Sequence, residues 1–264
     1  FELLNLNLRN RIKLKTKVFD YSELKFMVDE AIKSDDIVIK NAPKSKIKGI
    51  ESLKNIVARP IQMNAAALEG VYIDKNQYVA TDTHVIVMLN TKTNGKNEGK
   101  ILNAFPKITK TKEKYLDGTF PNYEAVIPDH QNYSDKIDLK NLIDQVHSFN
   151  LFTRPLKFEK AKSVFFKYGN TKDDKIFFDS LIMYKLLKAF YDNEAQTVKI
   201  AYSQPNRALM LKSDNGHTGL MMPMVMLEKD DQVFLDLNID QEAKGLNKSK
   251  GMSGTQIDLF TKKK

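Results

Sequence analysis

Apolar positions recur at helical spacing in three stretches of this chain and at alternating spacing in much of the rest. In YSELKFMVDEAIKS, residues 21–34, Leu24, Met27, Val28, Ala31 and Ile32 fall on one stripe, with Lys25, Asp29 and Lys33 opposite. That spacing predicts an amphipathic helix with one face in a core. NAPKSKIKGIESLKN, residues 41–55, has no assignable period. GVYIDKNQYVATDTHVIVML, residues 70–89, reads as strands joined by a tight turn over Asp74–Gln77 and interrupted by the polar TDTH. Residues 93–118 read as basic loop and run into DGTFPNYEAVIPD, which Gly118 and Pro121 punctuate.

The same grammar starts again near residue 132. In DLKNLIDQVHSFN, Leu139, Leu142, Ile143, Val146 and Phe149 repeat the helical stripe. VFFKYG follows as a strand, and DSLIMYKLLKAFYD is a further helix that Asp179 or Ser180 would cap. VKIAYS, RALMLKS and HTGLMMPMVML form a strand run, with turns at Gln204–Asn206 and Asp214–Gly216. Alternation through Met221 and Met222 sends one methionine inward and the other out. The layout is therefore helix-then-strands, twice, with helices covering sheet faces, which is an α+β architecture. After Leu227 the pattern weakens. QVFLDLNI, residues 232–239, fits one more edge strand, and EAKGLNKSKGMSG has the composition of a flexible linker. The expected division is 1–131, 132–228 and a tail over 229–264.

Composition adds a sign to this body. The 264 residues carry 42 Lys+Arg against 33 Asp+Glu, a formal charge of +9, which favours an anionic partner and nucleic acid first. Within 228–264 the charges balance, so the excess sits on the body. There is no cysteine, which excludes disulfides and thiolate metal sites and suits a reducing cytosol. No run has transmembrane length, and FELLNLNLRN lacks the order of a signal peptide. A cytoplasmic protein with no membrane partner is expected.

Catalytic constellations are missing from the pattern. His84, His130, His147 and His217 have no metal-ligand spacing, and no phosphate loop, GxSxG or HExxH motif occurs. His147 falls on the polar side of its helix, where solvent is its expected partner. Asp82 and His84 share a strand face but have no nucleophile beside them. Binding is the expected role, with no enzyme activity, no metal and no cofactor.

Three segments in order carry a resemblance. YVATDTHVIVML at 78–89 resembles the ATDGHRLA signature of the bacterial DNA polymerase III beta subunit, the sliding clamp. DGTFPNYEAVIP at 117–128 is similar to that family's DGRFPDYRRVLP, and GLMMPMVML at 219–227 to its closing VVMPMRL. The likeness covers residues 20–227 and corresponds to the second and third of the family's three domains. It implies two clamp-type domains, 1–131 and 132–228, each with helices on one face of antiparallel sheets, in a processivity factor that encircles duplex DNA and tethers polymerase and other replication or repair proteins, with a clamp loader as a possible helper. Two domains per chain would need three chains to close a ring of six, hence a homotrimer.

The resemblance also implies a pocket for partner peptides. Its wall would come from Leu68, Thr81, Thr83, His84, Val85 and Ile86, one side from Pro128, and its floor from Leu220, Met222, Pro223 and Met224. The flexible, polarizable methionines suit a groove that accepts several peptides. In the tail, Gln256, Ile257, Asp258, Leu259 and Phe260 have the form of a peptide that enters such a pocket. That segment could serve the chain's own pocket, a neighbour's, or another clamp's, such as a host's if the chain came from a phage; an appended partner peptide is a further origin. The alternative function is a clamp-fold adaptor that forms no ring and docks on another clamp through this tail. Departures from the family are Thr83 and Val85 in place of its glycine and arginine, and Ala66 and Ala67 in place of a DNA-contacting tyrosine pair. DNA-facing residues are therefore taken from charge: Lys25, Lys33, Lys107, Lys110, Lys112, Lys114, Lys140, Lys185 and Lys188.

Overall fold

The computed structural model describes residues 16–19, 22, 26, 48–58, 66–91, 95, 97–105, 113–128, 133, 134, 136–153, 162–167, 175–201, 207–224 and 232–237. Strand β1 (Thr16–Phe19) comes first, then the short helix α1 (Ile50–Leu53). Strands β2 (Gly70–Asp74), β3 (Gln77–Thr81), β4 (Val85–Asn90), β5 (Ile101–Asn103) and β6 (Tyr115–Leu116) follow. The second unit runs β7 (Ile137–Asp138), α2 (Leu139–Thr153), β8 (Lys162–Lys167), β9 (Lys175–Asp179), α3 (Ser180–Asp192), β10 (Thr197–Ala201), β11 (Leu209–Ser213) and β12 (Thr218–Met221). Strand β13 (Gln232–Asp236) is last.

The expected helix over 21–34 lies outside the described residues, apart from Ser22 and Phe26, both helical and exposed. The turn at Gln204–Asn206 lies outside them as well. The patterns of the two later helices materialise. The five stripe residues of α2 are all buried. Asp179, not Ser180, caps α3: its carboxylate accepts from the backbone N–H of Leu181 at 2.8 Å and of Ile182 at 2.9 Å. Ser180 is buried, and its hydroxyl donates to Asn150 Oδ1 at 2.6 Å, tying α3 to α2.

Nine strands form one antiparallel sheet in the order β6-β5-β2-β3-β4-β12-β11-β10-β7. The join between the two units is the β4–β12 pair, with Leu220 opposite Ile86 and Met221 opposite Val85. Helix α3 packs against β4 at this join and against β8 and β9. It can come close because residue 219 is glycine, where a Cβ would sit 2.8 Å from Leu186 Cδ1. Phe149, Phe178, Leu186 and Phe190 fill the space between helices and sheet with Val85, Val87, Leu89, Leu211 and Met221.

Four strands form a second sheet in the order β1-β13-β8-β9. The antiparallel expectation holds for the large sheet and for β8–β9, whereas β13 runs parallel to both β1 and β8. Three readings change here. Strand β13 is an interior strand rather than an edge, with Phe234, Leu235 and Leu237 buried, so 232–237 belong to the folded body. Residues 93–118 contain β5 and β6 rather than loop alone; two- and three-residue strands amid lysines leave no visible period. His147 is half-buried and stacks on Tyr184 at 5.1 Å instead of facing solvent.

Candidate functional site

Strand alternation gives the large sheet two unlike faces. Val85, Val87 and Leu89 point to the helices, while Ile86 and Met88 point away. On the far side Val79, Met88, Ile101, Leu116, Phe120, Tyr123, Met210 and Leu220 form a second cluster, with Ile86, Ile127, Tyr133 and Ala208 half-covered against it. Tyr72 stacks on Phe120 at 4.9 Å, and the Tyr123 hydroxyl donates to Asp74 while accepting from Gln77 Nε2 at 2.6 Å. Burial and the adjoining carboxylate raise the Tyr123 pKa well above the ordinary phenol value, so this hydroxyl stays protonated.

The second cluster reaches the surface at the β4–β12 join. Met221 is 1% exposed and belongs to the helix-side core, whereas the next residue, Met222, is 48% exposed. Met222 continues the ladder by donating its N–H to His84 O at 2.8 Å, and Met224 bridges to Phe177 of β9. An apolar strip therefore runs from Ile86 and Leu220 to Met222, edged by His84.

The TDTH turn that shapes this edge is built from its own polar side chains. Asp82 Oδ1 accepts from the N–H groups of His84 at 3.0 Å and Val85 at 3.1 Å, and Thr81 Oγ1 accepts from Thr83 N–H at 3.0 Å. Thr83 has φ 79°, the left-handed region that glycine enters freely, and glycine is what the clamp signature carries there. The Asp82 carboxylate is thus engaged in holding backbone, and it stands 4.0 Å from His84 Nδ1, beyond hydrogen-bond reach.

Of the pocket residues expected from sequence, the structure brings together Thr81, Ile86, Leu220, Met222 and His84 through strand pairing. Thr83 shapes the turn; Pro223 and Met224, which follow Met222, are half-buried, as is Pro128 next to Ile127. Val85 is a correction: it faces the helix-side core and cannot line the strip, because it alternates with Ile86. Leu68 is buried outside both clusters, and its neighbour Ala67 packs on the second one instead. Gln256, Ile257, Asp258, Leu259 and Phe260 lie outside the described residues.

Among the DNA-facing candidates, Lys25, Lys33, Lys107, Lys110 and Lys112 also lie outside them. Lys140 is exposed on α2, where Asp144 offsets it. On α3, Lys185 is half-buried and Lys188 is ion-paired with Asp192. These two helices concentrate no positive charge. Lys114 is exposed and shares the Tyr115 ring with Lys100, at 5.4 and 4.9 Å from its centroid. Their meeting on the β5–β6 edge had no signature in the sequence.

A polar cavity of about 200 Å³ lies on the other side of the join, lined by Lys48, Tyr78, Asn90, Asn193, Glu194 and His217 among others. It is smaller than the ~300 Å³ at which small-molecule sites begin. Buried His217 accepts from Asn90 N–H through Nδ1 at 3.1 Å and donates from Nε2 to Asn193 O at 3.0 Å, which fixes the neutral tautomer. Burial holds its pKa below the ordinary histidine value. Its role is to tie β4 to the end of α3. No group of three metal-ligating side chains occurs among the described residues, and no helix among them is long and apolar enough to cross a membrane.

This two-helix, shared-sheet arrangement is the DNA sliding clamp fold. Solved structures align with it over most of the chain at low identity. The DNA polymerase sliding clamp from Bacillus subtilis matches with TM-score 0.52 and 13% identity over 72% of this chain and 67% of that one. The ligand-bound sliding clamp from Pseudomonas aeruginosa gives 0.51 and 14% over 73% and 70%. The DNA polymerase III beta chain from Streptococcus pneumoniae gives 0.51 and 13% over 72% and 67%. Across such structures the chain spans as little as 63% of the partner's length. No family model matches the chain, and no curated protein does.

Proposed function

We propose that this chain is a sliding clamp, a processivity factor that encircles duplex DNA and tethers polymerase and other proteins through the apolar strip at the β4–β12 join. The observation that carries the proposal is the coincidence of two things: the clamp fold across the join, and an exposed methionine at the point where the clamp signature segments meet. The proposal does not require chemistry from the protein. Three chains of two clamp-type domains would close a ring of six. The basic body supplies non-specific phosphate attraction, which weakens steeply with salt. The aqueous cytoplasm is where such a ring would act.

Retention on DNA tests this reading. After loading at low salt, the protein should survive a salt challenge on nicked circular DNA and be lost once the circle is cut. Equal loss from circles and linear DNA would contradict encirclement.

The charge balance of α2 and α3 favours a second reading, in which the clamp fold forms no ring and the tail hooks onto another clamp. That adaptor would show no topological retention. It would bind a three-domain clamp through Gln256, Leu259 and Phe260, and binding would vanish on their replacement by alanine.

A further inference from the structure

We propose that the tail segment TQIDLF, residues 255–260, folds back onto the apolar strip of its own chain and occupies it until a partner peptide competes it away. This rests on the strip being a peptide-binding surface and adds which occupant it holds at rest.

Two apolar stretches of the chain suit one another. One is the strip, where Met222 stands half in solvent two residues past Leu220, whose cluster Ile86, Ile127, Tyr133 and Ala208 half-cover. The other is the tail, where Ile257, Leu259 and Phe260 interrupt a run of lysines, glycines and serines. Burying either against the other removes apolar area from water. Position then selects the partner. Strand β13 does not leave the body at a distant edge. Asp236 pairs with Phe165 of β8, Phe165 with Phe177 of β9, and Phe177 with Met224, two residues from Met222. These three interstrand steps amount to about 15 Å. The chain therefore leaves β13 almost level with the strip.

Residues 238–254 supply the connection. A coil of about 17 residues has an r.m.s. span of about 23 Å, of the same order as the separation instead of overshooting it several-fold. Short linkers of this kind set effective concentrations in the millimolar range. A segment with only micromolar intrinsic affinity would then hold its own strip closed against dilute competitors. Had β13 been an edge strand remote from Met224, this geometry would not arise.

The test uses the full chain throughout, with a fluorescein-labelled TQIDLF peptide as probe and anisotropy as readout. The variant Leu259→Ala/Phe260→Ala should bind the probe at least 10-fold more tightly than the unaltered chain, as effective-concentration arithmetic requires. Adding Met222→Glu to that variant should abolish binding, with unchanged thermal melting showing the fold intact. Equal probe affinity for the unaltered chain and the tail variant would overturn the intrachain contact while leaving the peptide-binding strip standing. No binding by the tail variant would remove the strip itself, and the inference with it. A mixture separates the chain's own tail from a neighbour's: unaltered tail on a Met222→Glu chain, added to the tail variant. Probe binding should persist in that mixture, and its loss would assign the tail to a neighbouring copy.

Discussion

The two faces of the nine-stranded sheet are made by the same strands and end in different states. Toward the helices, Val85, Val87, Leu89, Leu211 and Met221 are sealed under α2 and α3, with Phe149, Phe178 and Phe190 filling the layer. Toward the other side, Ile86, Leu220 and their neighbours pack, among the described residues, with Phe120, Tyr123 and Ile127 of the 117–128 segment, and Met222 at the strand end is 48% exposed. Adjacent methionines on one strand end thus take opposite roles. Packing on the first face carries stability, and packing on the second is incomplete at Met222.

Truncation on the sealed face should cost most. Phe190→Ala leaves a void beneath α3 and should lower unfolding stability by about 3–5 kcal/mol, measured by urea denaturation. A loss under about 1 kcal/mol would mean that α3 is not the seal. Asp179→Ala removes the cap that fixes the start of α3 and should cost about 1 kcal/mol in the same assay.

Acid should loosen the same side through its two shielded histidines. Burial lowers the pKa of both His217 and His147, against weaker opposing influences that include Asp214 and Asp144 respectively. The unfolded chain, with histidine near ~6.5, then binds protons more readily than the folded one. Stability is fully present above about pH 6.5 and declines as pH falls below it through the folded values. His217→Gln should flatten part of that slope in denaturant titrations at pH 7.5 and 5.5. A slope unchanged by His217→Gln would remove His217 from the account.

The smallest effect belongs to the open face. Met222→Ala should change stability by less than about 0.5 kcal/mol, as for other solvent-facing positions. A cost above about 2 kcal/mol would show that this methionine is core, and that the strip is closed without any occupant.

Sequence patterns and final structure diverge for identifiable reasons. The α2 stripe and the α3 cap were legible because a helix writes its burial and its start into neighbouring positions. So was the split between Met221 and Met222, since strand alternation is local. The place of β13 was not: pairing between β1 and β8 is decided by chain segments more than 60 residues away, and eight apolar-rich residues look alike at an edge or an interior. Strands β5 and β6 were too short to show a period within a lysine-rich run. For Val85 the resemblance suggested a wall residue, but its alternation with Ile86 turns it into the core. The Lys100–Tyr115–Lys114 group needed two strands brought side by side. Local rules thus found α2, α3 and the strands within 70–89 and 197–221, and missed elements that are short or that distant segments pair.

Particle mass in solution tests the clamp reading most directly. Light scattering on the full chain, at low micromolar concentration and moderate salt, should give about 91 kDa, three copies of the 30.3 kDa chain. The Leu259→Ala/Phe260→Ala variant should give the same value, because the tail is assigned to its own chain. A mass near 30 kDa for both would contradict a ring and leave the adaptor reading in its place.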